Sequence, residues 1–165
     1  MTRRDVIFSV LAFGLSALAV SAGPAVAGAG KIDSCTLLTK AEIQEAVGKP
    51  VKDGKPNTNA NAAVGIPCEF GIDPYGTVSI LAVAATPSNA PDQVAAGLKK
   101  MKIAVTEAPG IGDRSFFADM GYGMLQLNTW KGPHYLILTM MIPGATEDQQ
   151  KTAAGKLMGK VLGRL

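Results

Sequence analysis

The 165-residue sequence predicts an α+β fold: a mostly antiparallel sheet of about five to six strands packed by helices, in the order α-β-β-β-α-β-β-β-α. Three observations lead there. Helix-start signatures, Thr39-x-x-Glu42 and Thr146-x-x-Gln149, stand near the two ends of the chain. Between them, short apolar runs of period two are separated by Gly- and Pro-containing turns. Once an export leader is removed, about 138 residues remain, enough for one core and too few for two.

The leader is read from Arg3 and Arg4 followed by an apolar run over 6–20, of signal-peptide length and too short for a membrane span. Small-residue cleavage sites follow at Val20-Ser21-Ala22 and at Ala25-Val26-Ala27. Pro24 breaks the apolar helix just ahead of the second, which favours a mature start at Gly28. The expected organisation is a signal peptide over 1–27 and a single exported domain over 28–165, periplasmic or secreted, with no stable membrane span after processing. Thr2-Arg3-Arg4-Asp5-Val6-Ile7 also resembles a twin-arginine signal, so both export routes stay open. Asp33 before Ser34-Cys35, well beyond the apolar run, argues against a lipidated Cys35. The net charge of +3 falls to +2 without the two Arg and one Asp of the leader. Lysines are scattered, and the cluster Lys99, Lys100 and Lys102 straddles a helix end where cations favour the dipole, so no nucleic-acid partner is expected.

The first helix is specified residue by residue. Thr39 and Glu42 form a capping box, and Leu38 can staple onto Ile43. Ile43, Ala46 and Val47 share a face, Gly48 supplies a left-handed end, and Pro50 prevents continuation. Cys35 lies just upstream and Cys68 at the start of a later strand. Export points to a Cys35–Cys68 disulfide closing a loop of roughly 34 residues, worth on the order of 3–4 kcal/mol in the chain-entropy model. No Cys-x-x-Cys redox motif exists.

Val51 and Lys52 read as at most a short edge strand, and the Asn-rich stretch to Gly65 as an exposed loop stapled at its base, a size of loop that also serves as a binding lid. A hairpin follows over 68–72 and 77–85, joined by Asp73-Pro74-Tyr75-Gly76 as a type I turn. Val78, Ile80, Ala82 and Ala84 face one way and Leu81 and Val83 the other, which predicts a central strand covered on both sides. Ser88 or Asn89 is expected to cap a second helix over 90–100, with Val94, Leu98 and Met101 on one face. A turn at 108–113 leads into three strands over 114–119, 124–130 and 135–142. The last helix carries Ala154, Leu157, Met158, Val161, Leu162 and Leu165 on one stripe, opposite Lys151, Lys156, Lys160 and Arg164, as a helix packed on a sheet.

Catalytic chemistry finds little support. His134 is the single histidine, it opens a strand, and no nucleophile elbow or dinucleotide loop accompanies it. Asp113 and Asp119 are too far apart along the chain to share a proton, and read as a turn residue and a strand end. No cofactor is expected. Two binding readings remain. Gln126, Asn128, Trp130, Tyr135 and Phe117 would form an amide-and-aromatic sheet face for a small ligand or peptide if Leu125, Leu127, Leu136, Leu138 and Met140 face the helices. Alternatively, Met120, Met124 and Met140 with His134 offer soft donors for monovalent copper, although Met124 and Met141 are expected to alternate away from their neighbours.

Cys35-Thr36-Leu37-Leu38-Thr39 with Glu42, Val47-Gly48, Cys68-Glu69-Phe70 and Pro109-Gly110-Ile111-Gly112-Asp113 resemble a family of small exported bacterial proteins of unknown function, many of them lipoproteins. The chain lacks the lipidation cysteine of many members. The resemblance implies a fold similar to the Mog1/PsbP-like group, used for binding, and it transfers no catalytic residues. The expected function is an exported, non-enzymatic binding or accessory module of the cell envelope, with a small ligand or an envelope protein as partner. The alternative is a copper carrier or an enzyme using His134.

Overall fold

The computed structural model describes residues 32–165. The leader over 1–27, its cleavage sites and the start at Gly28 lie outside the described residues.

A 3-10 turn at Ser34–Thr36 leads into helix α1 (Lys40–Val47). Strands β1 (Lys55–Pro56), β2 (Cys68–Ile72) and β3 (Gly76–Ala84) follow, then a 3-10 turn at Pro87–Asn89 and helix α2 (Pro91–Lys100). The second half holds β4 (Ala104–Glu107), β5 (Arg114–Gly121), β6 (Met124–Lys131), β7 (His134–Met141) and helix α3 (Glu147–Leu162). All neighbours pair antiparallel in one seven-stranded sheet of order β1-β2-β3-β7-β6-β5-β4. The α+β class stands. The number and order of strands do not, because the sheet has seven and four of them separate α2 from α3.

The extra strand is β4. Its residues Ala-Val-Thr-Glu show no apolar alternation, and only Val105 is shielded. It exists because α2 delivers the chain alongside the outer edge of β5, where Ala104 to Glu107 meet Asp119 to Phe116. The first edge strand is also shifted. Val51 is buried and bridges Ile72, but the ladder proper forms at Lys55–Pro56 against Cys68 and Glu69. The turn joining β2 to β3 contains a cis Asp73–Pro74 peptide rather than the expected type I geometry.

The helices divide between the two faces. α1 and α3 cover one, burying Ile43, Val78, Ile80, Leu125, Leu127, Leu136, Leu138, Met140, Leu157 and Val161 in the main core. A fully buried aliphatic side chain contributes roughly 1.5–3 kcal/mol, so this layer dominates stability. α1 starts and stops as its residues dictate: Thr39 Oγ1 accepts from the Glu42 N–H, the Glu42 carboxylate accepts from the Thr39 N–H, and Gly48 ends it at φ 67°. Thr146 and Gln149 repeat the device at α3. Leu165 falls beyond the end of that helix and is exposed.

α2 covers the other face, packing Leu98 with Phe116, Ala118, Trp130 and Tyr135. Its cap differs from expectation. Ala90 occupies the N-cap without a side-chain bond, and Pro91 takes the first helical position. Asn89 points backwards instead, accepting from the Thr86 N–H at 2.7 Å and donating to the Ala84 carbonyl at 2.9 Å. Met101 is exposed, not part of the buried face. Leu81 and Val83 on β3 are only half-buried, so the second face is incompletely covered there. Among the described residues, no helix is long and apolar enough to cross a membrane.

Candidate ligand pocket

The amide-and-aromatic residues singled out from the sequence mostly do share a face. Gln126, Asn128 and Trp130 alternate along β6, and Tyr135 joins them from β7, on the side away from Leu125 and Leu127. Tyr135 Oη donates to Asn128 Oδ1 at 2.6 Å, Asn128 Nδ2 to Gln126 Oε1 at 3.2 Å, and Gln126 Nε2 to Thr139 Oγ1 at 3.2 Å. Trp130 stacks on Tyr135 with centroids 4.3 Å apart, and its Nε1 donates to the Asn89 carbonyl at 3.0 Å. Asn128 is fully buried, and Trp130 and Tyr135 nearly so, under α2. Burial pushes the Tyr135 phenol up from its ordinary pKa. These groups satisfy one another inside a second core.

Phe117 lies on the opposite face. It packs against the main core, with Lys151 Nζ 5.8 Å from its ring centroid. Phe116, one residue earlier, takes its place beside Trp130 at 5.5 Å. The pairing decides this: Phe116 stands opposite Asn128 and Phe117 opposite Leu127, so the two rings take opposite faces.

The proposed metal donors separate. Met140 is fully buried in the main core, and His134 opens the same strand six residues earlier. At roughly 3.4 Å per residue they stand about 20 Å apart and cannot hold one ion. Met120 and Met124 stand on neighbouring strands at the register shift between Asp119 and Gly121, and Met141 follows Met140, which pairs with the Leu125 that follows Met124. Asp113 and Asp119 serve turns: Asp113 accepts from the Gly132 N–H and from Lys131 Nζ, each at 2.8 Å, and Asp119 from the Gly121 N–H at 2.9 Å. Those donors, the Gly132 N–H foremost, hold the Asp113 carboxyl below its ordinary pKa.

A hollow of about 620 Å³ opens at the His134 end of the sheet. Its origin is a mismatch of strand lengths. β2 begins at Cys68 opposite Ile80, so β3 continues past it as far as Ala84 with one edge unpaired. Side chains from the flanking 3-10 turns replace the missing strand. The Ala82 N–H donates to Ser34 Oγ at 3.2 Å, and the Ala84 carbonyl accepts from Asn89. The Cys35–Cys68 disulfide, with Cα atoms 4.9 Å apart, fixes the Ser34 turn beside this edge.

The opposite wall is an arm of the long loop. Asn61 Oδ1 accepts from the Ala63 N–H at 3.0 Å, and the Asn61 carbonyl from the Val64 N–H at 2.9 Å, which folds residues 61–65 into a compact turn. Gly65 then lies directly on β3. A Cβ there would sit 2.8 Å from Leu81 Cδ1 and 2.9 Å from Val83 Cγ1, and its φ is +127°, so only glycine fits. Ile32, Val64, Ile66 and Val83 give the hollow an apolar lining, while Asp33 and His134 supply polar groups. Val64 and Ile66 are 59% and 38% exposed. Aliphatic side chains held open to water around a cavity are the arrangement an apolar ligand would cover. The signal for this site was the run Ala62-Ala63-Val64-Gly65-Ile66, apolar residues inside a loop otherwise rich in Asn. Comparison of the chain with protein-family models, with curated proteins and with solved structures finds no match.

Proposed function

We propose that this chain is an exported, non-enzymatic binding module of the cell envelope that takes a small apolar or amphipathic ligand in the hollow beside its disulfide. The observation that carries this reading is the arm at 62–66, which holds Val64 and Ile66 exposed over an apolar cavity. A ligand with an aliphatic body would cover both side chains and the end of β3. A polar head would lie towards His134 and Asp33, which share the wall. The Cys35–Cys68 disulfide and the resemblance of the Cys-Thr-Leu-Leu-Thr helix start to exported proteins support the envelope location.

The test is titration with N-phenyl-1-naphthylamine, a dye that brightens in apolar cavities, on the disulfide-intact domain. Saturable brightening is expected. Val64→Asp and Ile66→Asp, both at exposed positions, should each weaken it about tenfold, the equivalent of about 1.4 kcal/mol of apolar contact. Dye affinity unchanged by both substitutions sinks the assignment.

A further inference from the structure

Three methionines line up across three neighbouring strands at the end of the sheet far from the hollow. Met141 of β7 stands opposite Thr77 of β3 and one rung beyond the Leu125–Met140 pair, which sets it beside Met124 of β6. Met120 of β5 sits at the register shift between Asp119 and Gly121, and Gly121 lies opposite Met124. Strand alternation fixes the faces of Met124 and Met141, and packing against the second core fixes that of Met120. Met120 continues the side of Phe116 and Ala118, Met124 that of Gln126 and Trp130, and Met141 that of Tyr135 and Ile137. All three are on the α2 side.

Cross-strand neighbours on one face hold their Cβ atoms about 4.5–5.5 Å apart. Methionine is unbranched and flexible, so three thioethers from such positions can turn onto a common point. The irregularity at Met120 helps, since a bulge re-aims the side chain it carries.

Burial distinguishes these residues from the packing methionines. Met140 and Met158 are fully buried in the main core, where gap-filling accounts for them. Met120, Met124 and Met141 are all partly open to solvent. Met120 only borders the second core, and Met124 and Met141 belong to neither. Both cysteines are tied in the disulfide, so thioethers are the soft donors left on this domain.

We infer that Met120, Met124 and Met141 form a three-thioether site for a soft monovalent cation, Cu(I) or its redox-stable surrogate Ag(I). Thioether sulfur prefers such ions over hard divalent ones. The site is independent of the ligand hollow and uses neither His134 nor Met140.

The test is titration of Ag(I) into the disulfide-intact domain carrying 13C-methyl methionine, followed by NMR. The methyl signals of Met120, Met124 and Met141 should move together and saturate near one equivalent, while those of Met140 and Met158 stay in place. Met124→Leu, nearly isosteric, should weaken binding roughly tenfold or more by removing one of three soft donors, and the triple Met→Leu variant should abolish it. His134→Ala should bind as the parent does. Binding should also persist from about pH 7 to about pH 5, where protons displace histidine-held ions. No shift at one equivalent, shifts confined to Met101, loss on acidification, or full binding by the triple variant overturns the site. Should the triple variant misfold, the parent spectrum and Met124→Leu decide the matter.

Discussion

Glu42 carries three tasks with one carboxylate. It closes the capping box on the Thr39 N–H at 2.9 Å, accepts from the Thr39 hydroxyl at 2.9 Å, and binds Arg164 Nη2 at 2.6 Å. Arg164 also donates to the Leu37 carbonyl, so the end of α3 is fastened to the entry of α1. The Arg164 hydrogen bond, ahead of the Thr39 contacts, holds the Glu42 pKa down to about 2 from an ordinary 4.5. A carboxyl depressed on folding stabilises the native state fully above its unfolded pKa and loses that contribution as pH falls towards the folded one. Glu42 should therefore support the fold above about pH 4.5 and cease to do so near pH 2. Glu42→Gln should be less stable than the parent at neutral pH, with the difference shrinking to nothing across that window in urea unfolding. Carboxyl NMR should also find Glu42 in Arg164→Ala titrating closer to 4.5; an ordinary Glu42 titration in the parent would show that the clasp does not form. The capping half of this device was legible in the sequence because its partners are three residues apart. The Arg164 half was not, since 122 residues separate it from Glu42.

Elements were legible where their signal is local and illegible where a neighbour makes them. Both capping boxes and the hairpin of β2 and β3 stand where their residues place them. β4 could not be read, because Ala-Val-Thr-Glu becomes a strand only through the free edge of β5. The cover of α2 over Trp130 and Tyr135 was equally hidden, and it turned an expected ligand face into a core. The loop arm is the most sequence-sensitive of these elements. Its seat on β3 depends on Gly65, where an added Cβ meets Leu81 and Val83 and the left-side φ is strained for any other residue. Gly65→Ala should cost about 1 kcal/mol or more of arm stability and lift Val64 and Ile66 from the hollow. Dye affinity should fall while the main core, monitored by Met158 methyl shifts, stays unchanged. An alanine variant that binds dye like the parent would mean that the arm does not form the wall.

At the scale of the molecule, the sheet separates two ends with different chemistry. The hollow lies where β3 outruns β2, near His134, and the methionine row lies where β7 ends, near Met141. Seven residues of β7 separate those ends, about 24 Å at 3.4 Å per residue. The disulfide belongs to one end only. It joins the Ser34 turn to β2, across a sequence separation of 33, at the rim of the hollow. Closing a loop of that length is worth on the order of 3–4 kcal/mol in the chain-entropy model. Reduction should lower global stability by that order. At a temperature where the reduced domain stays folded by near-UV CD, the Ser34 turn should loosen first, because the bond from the Ala82 N–H to Ser34 Oγ is then what ties it to the unpaired edge of β3. Dye affinity at the hollow should drop on reduction under those conditions, while Ag(I) binding by the methionine row, measured with the new thiols alkylated, should not change. Equal loss at both ends would mean that the sheet transmits the change along its whole length. Loss at neither would mean that the disulfide stabilises the unfolded-to-folded balance without shaping the hollow.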